Sequence, residues 1–422
     1  MYDNSGSGSI VHMDVIRAAQ TELAPGFPPV LVLEGARTCG KTYLARKLVE
    51  NGVWSDLQSL ADPATLELAR HDSYGWLASL PAATVIDEAQ LLDDLPLHVK
   101  RLVDEDQSRR FLLTGSARIG RTGLGGSDPL VGRVRRWRLW PLTNAELTGQ
   151  PQSMASLVDR LFDRSIINGG PYPPFDLPGR VNKGGFPLLA LVEQSTAACD
   201  QWVRDTILGL LTDSVLPDER FDAGIALRLL AACLRGPGAI LNLASLGDRL
   251  GIDPRTVDRY LDVLERRFLL HFLPNLATNP MRQTRARSKI HPVDTAFTAN
   301  ALRDADPATM NSPTTLGGLF ESYVVNQIVP CLQFAQRRVA AFFWRDAKTS
   351  AEVDCVLVDG AGNRVGVEVK SSTSVRLSDA SGLQALAADG PMAAGYVIYP
   401  GTKVVRLTEG IHALPVAALG DC

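Results

Sequence analysis

Gly35-Ala36-Arg37-Thr38-Cys39-Gly40-Lys41-Thr42 is the stretch on which the fold turns. The apolar run Val30-Leu31-Val32-Leu33 before it reads as a buried strand, and Tyr43-Leu44-Ala45-Arg46-Lys47-Leu48-Val49 after it reads as a helix. A strand, a Gly-containing turn and a helix are the context a P-loop requires. Gly35 and Gly40 let the backbone turn tightly enough to aim successive N–H groups at a phosphate, and the helix N-terminus adds its partial positive charge. On this reading the loop binds ATP along Gly35, Ala36, Arg37, Thr38, Cys39 and Gly40. Lys41 reaches the β- and γ-phosphates, and Thr42 offers its hydroxyl to Mg²⁺.

Downstream, Ala83-Thr84-Val85-Ile86-Asp87-Glu88 is an apolar strand that ends in two adjacent carboxylates. That is Walker B chemistry: Asp87 holds Mg²⁺ through water, and Glu88 polarises the attacking water. A solvated strand end is the competing reading of the pair, and the P-loop upstream weighs against it. A third strand, Arg110-Phe111-Leu112-Leu113-Thr114-Gly115-Ser116, ends in small hydroxyl residues. Ligands of doubly wound sheets bind at the carboxyl ends of the strands, so Thr114 and Ser116 fall where a γ-phosphate sensor belongs.

The series GARTCGKT, VIDEAQ, FLLTGSA and LVGRVRRWRLWPLTNAEL resembles the AAA+ superfamily, in particular prokaryotic ATP-binding proteins with a C-terminal domain of unknown function. Lys183-Gly184-Gly185-Phe186-Pro187 and the region after Leu319 also resemble that family, so the likeness covers nearly the whole chain. It implies sensor 1 at Thr114 or Ser116 and an arginine finger at Arg133. Arg135, Arg136 and Arg138 alternate with Arg133 along an apparent strand, so charge alone does not select the finger, and a solvated or partner-facing stripe is the other reading. The family more often has a Pro-Arg-Gln-like sequence inside the loop, where this chain has Ala36-Arg37-Thr38-Cys39. That departure spares the Gly, Lys and Thr positions. Cys39 either makes the site sensitive to thiol reagents or is simply a small residue that fits.

A chain of 422 residues exceeds one ordinary core. The apolar and charged fractions, 45% and 21%, are those of a soluble globular protein. A formal net charge of −3 excludes a global basic field, so any DNA contact must use local patches. The six cysteines have no metal-type spacing and suggest free thiols in a reducing, cytoplasmic setting. No apolar run approaches a membrane span, and Met1 to Gly8 lacks the apolar core of a signal peptide and reads as a frayed tail. His71, His98 and His271 read as surface or packing residues.

The expected architecture is α/β with four parts. Residues 1–155 form a P-loop AAA+-like ATPase domain, including a Gly-rich mobile loop from Arg118 to Pro129. Residues 156–235 hold a linker from Leu157 to Arg180, marked by prolines 171, 173, 174 and 178, and then a helical region. Residues 236–290 read as a winged helix: Asn242 to Leu250 a first helix, Gly251-Ile252-Asp253 a tight turn, and Pro254 to Leu264 a second helix capped by Asp253. That second helix exposes Arg255, Thr256, Asp258 and Arg259, a set suited to DNA, while Asp258, Asp262 and Glu265 dilute the charge and leave protein contact open. Arg282, Arg285, Arg287 and Lys289 make a basic run, read as a nucleic-acid contact or a solvated loop.

Residues 291–422 carry the second constellation. Leu319 to Asn326 reads as a helix bearing Glu321, followed by strands at Phe342 to Arg345, Glu352 to Val358 and Arg364 to Lys370. Glu368 and Lys370 are two apart and share a face, and Asp354 lies on the neighbouring strand. Carboxylates and a lysine at one sheet edge suit a metal-dependent phosphodiester hydrolase: Asp354 and Glu368 hold Mg²⁺ or Mn²⁺, and Lys370 orients water. The arrangement resembles the PD-(D/E)XK (restriction-endonuclease-like) superfamily, which implies Glu321, Asp354, Glu368 and Lys370 at the motif positions, with Glu352-Val353 where the motif's proline would stand. A cross-strand salt bridge on a scaffold that binds without cutting is the competing reading. Two functions follow. One is an ATPase whose nucleotide state controls a nuclease-like domain acting on DNA, with a homo-oligomer possible. The other is an ATP-dependent regulatory module that holds DNA or a protein partner on an inactive nuclease scaffold.

Overall fold

A computed structural model describes residues 15–115, 119, 128–212, 221–276, 287–305, 312–346 and 348–420. The first unit runs β1 (Val30–Gly35), α1 (Lys41–Glu50), β2 (Asp56–Ser59), α2 (Pro63–His71), α3 (Ser73–Ser79), β3 (Ala83–Asp87), α4 (Leu95–Glu105), β4 (Arg110–Gly115) and β5 (Val134–Leu139). Its sheet has the order β2-β3-β4-β1-β5, with every pairing parallel. A parallel sheet is covered on both faces, which is why β1 is an unbroken apolar run. Val30 and Val32 pack with Leu95 and Val99 of α4, whereas Leu31 and Leu33 pack with Leu44 and Leu48 of α1. The strand order puts β4 between β1 and β3, so the carboxyl ends of all three converge.

The chain continues with α5 (Asn144–Leu147), α6 (Gln152–Asp163), α7 (Leu177–Lys183), α8 (Pro187–Leu191), α9 (Thr196–Thr212) and α10 (Ala223–Leu234). The linker expected from Leu157 to Arg180 is corrected over its first part. Met154, Leu157, Val158 and Leu161 recur at helical spacing, and they are buried with Tyr396 and Ile398 of the C-terminal sheet. The Tyr396 hydroxyl donates to the Leu161 carbonyl at 2.8 Å. An amphipathic face decides this segment, and the prolines only mark where its helix has ended.

Next come α11 (Leu243–Leu250), α12 (Pro254–Arg266), the antiparallel pair β6 (Leu270–Leu273) and β7 (Lys289–Pro292), and α13 (Thr295–Ala305). Asp253 caps α12 by accepting from the Arg255 and Thr256 N–H groups, as the sequence predicts. The last unit holds α14 (Pro313–Ile328), β8 (Val339–Arg345), β9 (Glu352–Asp359), β10 (Arg364–Val369), α15 (Ser381–Asp389), β11 (Met392–Tyr399), β12 (Val405–Thr408) and β13 (Ile411–Pro415). Its sheet order is β12-β13-β11-β10-β9-β8, with antiparallel β8-β9-β10 and parallel β10-β11-β13. One face packs on α6 and α14, the other on α15. The chain leaving β6 covers the β8 edge: Phe343 N–H donates to the Pro274 carbonyl at 3.0 Å, and Leu276 N–H to the Phe343 carbonyl at 2.7 Å. None of the described helices is long and apolar enough to cross a membrane.

Candidate functional site

Gly35 closes β1 where only glycine fits, because a Cβ there would stand 2.4 Å from the Leu139 carbonyl oxygen. Thr38 and Gly40 take positive φ values of 61° and 98°, which bend the loop into α1. Inside the loop the Lys41 ammonium donates to the carbonyls of Gly35 and Ala36 at 2.9 and 2.8 Å. Thr42 Oγ1 donates to Asp87 Oδ2 at 2.9 Å, and the other oxygen of Asp87 accepts from the Thr114 hydroxyl. Asp87, buried at the end of β3, is therefore held on both sides by the two hydroxyls the sequence selects. A hydroxyl beside a carboxylate is the all-oxygen donor set that suits Mg²⁺. Glu88 sits in the left-handed region at φ 54°, and its carboxylate accepts from the Gln90 amide. Arg37, Thr38, Lys41, Thr42, Glu88 and Gln90 line an open cleft of about 980 Å³.

The structure bears on two further expectations about this site, and a third lies outside the described residues. Cys39 is fully buried, so its thiol faces the core and not a ligand in the cleft. Arg133 lies at the amino end of β5, where its carbonyl accepts from Val30 N–H, and it pairs with Asp104 of α4 at 2.5 Å. The loop is at the other end of the parallel strands, about 20 Å away at ~3.3 Å per residue, so Arg133 does not join the site of its own chain. Ser116, and most of the loop from Arg118 to Pro129, lie outside the described residues.

The second constellation is assembled differently from its sequence reading. Lys289 of β7, 2% exposed, places its ammonium 2.8 Å from Glu321 Oε1 of α14, 2.7 Å from Glu352 Oε1 and 2.8 Å from Asp354 Oδ1, both of β9. Asp354 Oδ2 accepts from Val369 N–H at 2.9 Å. Lys370 pairs instead with Glu368 Oε1, at 2.6 Å. Glu368 Oε2 is buried and has no hydrogen-bond partner. His291, two residues after Lys289 on the same face of β7, bonds Ser322 Oγ through Nδ1 at 2.9 Å. Its Nε2 is buried without a hydrogen bond, 3.9 Å from Glu321 Oε1.

Burial, then the neighbouring Asp354, raises the Glu321 carboxyl well above the ordinary range and pushes Glu368 up to about 8. Burial opposes the charge on Lys289, but Asp354, Glu321 and Glu352 outweigh it and hold the ammonium protonated. Burial likewise keeps His291 neutral, its pKa pushed well down.

The expected metal centre of Glu321, Asp354 and Glu368 with Lys370 beside it is thereby corrected. The point common to Glu321, Glu352 and Asp354 is filled by an ammonium nitrogen. With Lys289 in place, no group of three His, Cys, Asp or Glu side chains among the described residues is arranged to hold a metal ion. Lys289, read in the sequence as part of an open basic run, is a buried counter-ion; Arg282 and Arg285 lie outside the described residues.

Three family models match the chain in succession. Residues 28–148 match the AAA domain, residues 175–308 a domain of unknown function (DUF8612), and residues 316–419 a second domain of unknown function (DUF4143). The first segment is an ATP-binding AAA domain. No curated protein matches the chain. Among solved structures it is similar to the Walker-type ATPase PabY2304 of Pyrococcus abyssi, at 16% identity over 68% of this chain and 94% of that one, with a TM-score of 0.39. It is also similar to the Thermotoga maritima RuvB Holliday junction branch migration motor, at 21% identity over 64% and 87% of the two chains, TM-score 0.26. A third is the Aeropyrum pernix ORC1 protein in complex with DNA, at 14% identity over 69% and 91%, TM-score 0.27.

Two residues that carry no motif brace the surroundings of the nucleotide site, Arg17 from within the AAA domain and Asp294 from the segment that follows it. Arg17, 4% exposed, donates to the Cys39 carbonyl inside the P-loop at 2.9 Å, to the Trp140 carbonyl at 2.7 Å and to Glu146 at 2.8 Å. Asp294 is fully buried two residues after β7, and its Oδ2 accepts from Gly185 N–H at 2.7 Å and Phe186 N–H at 3.1 Å, while Oδ1 accepts from Ala296 N–H at 2.8 Å. Burial pushes its carboxyl up to about 6. Both glycines are required at this junction. A Cβ on Gly184 would lie 1.7 Å from Asp294 Oδ1, and one on Gly185 would lie 2.2 Å from the Leu142 carbonyl of the AAA domain. Pro187, next along, packs beneath Gly40, with its Cγ 4.0 Å from where a Cβ on that residue would stand.

Proposed function

We propose that the chain is an ATP-hydrolysing switch in which the nucleotide state of the AAA domain acts on a C-terminal nuclease-like scaffold that binds DNA or a protein partner without cutting. One continuous segment carries this reading. Lys289, at the start of β7, sits in the carboxylate cluster, and Asp294, just past its end, holds the Gly185-Phe186 turn that packs against the P-loop. A shift of either end is transmitted through a strand whose four residues are all buried.

At the nucleotide site the loop N–H groups and α1 bind the phosphates, and Lys41 turns from the Gly35 and Ala36 carbonyls toward the β- and γ-oxygens. Thr42 and Asp87 would hold Mg²⁺, which would supply charge neutralisation on the phosphates. Glu88 orients the attacking water and takes its proton, and the Thr114 hydroxyl fixes Asp87. Arg133, being remote from its own loop, acts as an arginine finger only toward a neighbouring copy in a homo-oligomer.

The order α14-β8-β9-β10-α15-β11, with Asp354 and Glu368 on adjacent strands, supports a restriction-endonuclease-like core. The helices α11 and α12 followed by the β6–β7 hairpin support a winged helix. Its β7 is buried against the neighbouring unit, which leaves α12, with Arg255 exposed, as the face free for a partner. Non-cutting is favoured because Lys289 neutralises the carboxylates that would hold metal and Lys370 is engaged by Glu368. The test measures ATP turnover and Mn²⁺-dependent DNA nicking in one preparation. Turnover abolished by Lys41→Ala, with no nicking above an Asp354→Ala control, is expected; Asp354-dependent nicking overturns the non-cutting assignment, and turnover that survives Lys41→Ala overturns the ATPase.

A further inference from the structure

We propose that Lys289 is the resident cation of the C-terminal carboxylate cluster, its ammonium standing where a divalent ion would be held, so that the two exclude one another. The proposal deepens the reading of this domain as a scaffold that does not cut, by naming what keeps metal out.

The Lys289 ammonium donates to Glu321 and Asp354 at 2.8 Å and pairs with Glu352 at 2.7 Å. Two buried polar atoms at the rim are then left without partners: His291 Nε2, on a side chain with 0% exposure and 3.9 Å from Glu321 Oε1, and Glu368 Oε2. The cluster thus offers more ligand atoms than a lysine serves, which is the signature of a site with a higher coordination number than three. The occupant and its cage also come from different units. The oxygens belong to α14 and β9, whereas Lys289 arrives on β7 from the segment that begins beyond the helical region.

Oxygens without thiolate select hard cations. The spacing around the nitrogen, 2.7–2.8 Å, is closer to the ~2.3–2.6 Å of Ca²⁺ ligands than to the ~2.0–2.1 Å of Mg²⁺. A larger ion therefore enters with the smaller contraction, and Mn²⁺, readable by its spectrum, is the practical probe.

The experiment counts bound Mn²⁺ by electron paramagnetic resonance on the full chain without nucleotide. Wild type and Asp354→Asn are expected to bind equally, because Lys289 closes the cluster in both. Lys289→Met is expected to gain one Mn²⁺ per chain, with affinity at least about tenfold above the wild-type background, and Lys289→Met/Asp354→Asn to lose it again. Circular dichroism identifies whether Lys289→Met folds. If it does not, Lys289→Met/Glu321→Gln, which removes one charge of each sign, carries the same expectation. The proposal is overturned if Asp354→Asn lowers Mn²⁺ binding in the presence of Lys289, since the cluster is then already open, or if a folded variant lacking Lys289 gains no ion, since the lysine is then only a clamp. ATP affinity, measured in the same proteins, reads the coupling separately: an affinity unchanged alongside a gained Mn²⁺ would sink the switch and leave this inference standing.

Discussion

Arg17→Met strips a guanidinium from a site 4% exposed and leaves the Glu146 side chain, 3% exposed, without its cation and the carbonyls of Cys39 and Trp140 without their donor. Breaking a buried pair from one side costs about 3–5 kcal/mol, because the remaining charge has neither water nor a partner. Against a typical total stability of ~5–15 kcal/mol that is a large fraction, so the variant should unfold at clearly lower urea. The sharper expectation concerns the double variant Arg17→Met/Glu146→Gln. Glutamine keeps an oxygen for the N–H of Thr143 or Ala18, both of which bond Glu146 now, and removes the stranded charge. The double variant should therefore recover about 1–3 kcal/mol relative to Arg17→Met alone. Equilibrium urea unfolding followed by the fluorescence of Trp137 and Trp140 reads both numbers. Because Arg17 also anchors the Cys39 carbonyl of the P-loop, ATP-analogue affinity in the folded single variant should fall about tenfold, equivalent to ~1.4 kcal/mol. A double variant that unfolds at the same or lower urea than Arg17→Met would show that the pair is not what holds these segments together.

Glu88→Gln should bind the ATP analogue like wild type and lose about 10²–10⁴-fold in turnover, measured as phosphate release, since the amide keeps the shape and cannot accept a proton. Gly185→Ala forces a Cβ to within 2.2 Å of the Leu142 carbonyl oxygen; backbone must move, and both thermal stability and ATP affinity should drop together, whereas an unchanged melting point would mean the junction is slack. His271 is buried and its pKa is lowered to about 3 from an ordinary 6.5, first by burial and then by Arg138, so the unfolded chain takes up a proton that the folded chain refuses. The associated stability is present above pH ~6.5 and is lost as pH falls toward ~3, so the advantage of wild type over His271→Gln should shrink by about 1.4 kcal/mol per pH unit on acidification, and a gap independent of pH in urea titrations would refute the shift.

The nucleotide site was legible because its information is local. Gly35 and Gly40 permit the turn, Lys41 and Thr42 follow at fixed spacing, and the apolar strands ending in Asp87 and Thr114 need only sheet topology to meet. The shared face of Glu368 and Lys370 was legible for the same reason, and the two do pair. What failed required knowledge of distant partners. Leu157 to Phe162 has a helical apolar face, yet the sheet that buries it is assembled from the far end of the chain. Arg17 has no sequence signal at all, since its three partners are two carbonyls and one carboxylate scattered along the fold. Asp294 lies outside any motif, although the glycines it restrains stand in a segment the family resemblance had already singled out.

Lys289 shows why alternation along a strand is an incomplete guide. In Lys289-Ile290-His291-Pro292 the polar residues share one face and the others share the opposite one, the pattern of a strand with one face in water. All four are nonetheless buried: Ile290 enters the core beside Leu269 and Phe297, while Lys289 and His291 meet Glu321, Asp354 and Ser322 of the neighbouring unit. Period two states which side chains look the same way, and says nothing about whether that way leads to solvent or to another unit's carboxylates. A lysine buried this deeply persists only among anions, so the burial of β7 and the acidity of the cluster are one fact seen from two sides. The hairpin and the C-terminal unit therefore meet here as a matched set of charges, and in the proposed switch a movement passed along β7 from Asp294 would have to draw a charged nitrogen out of its cage.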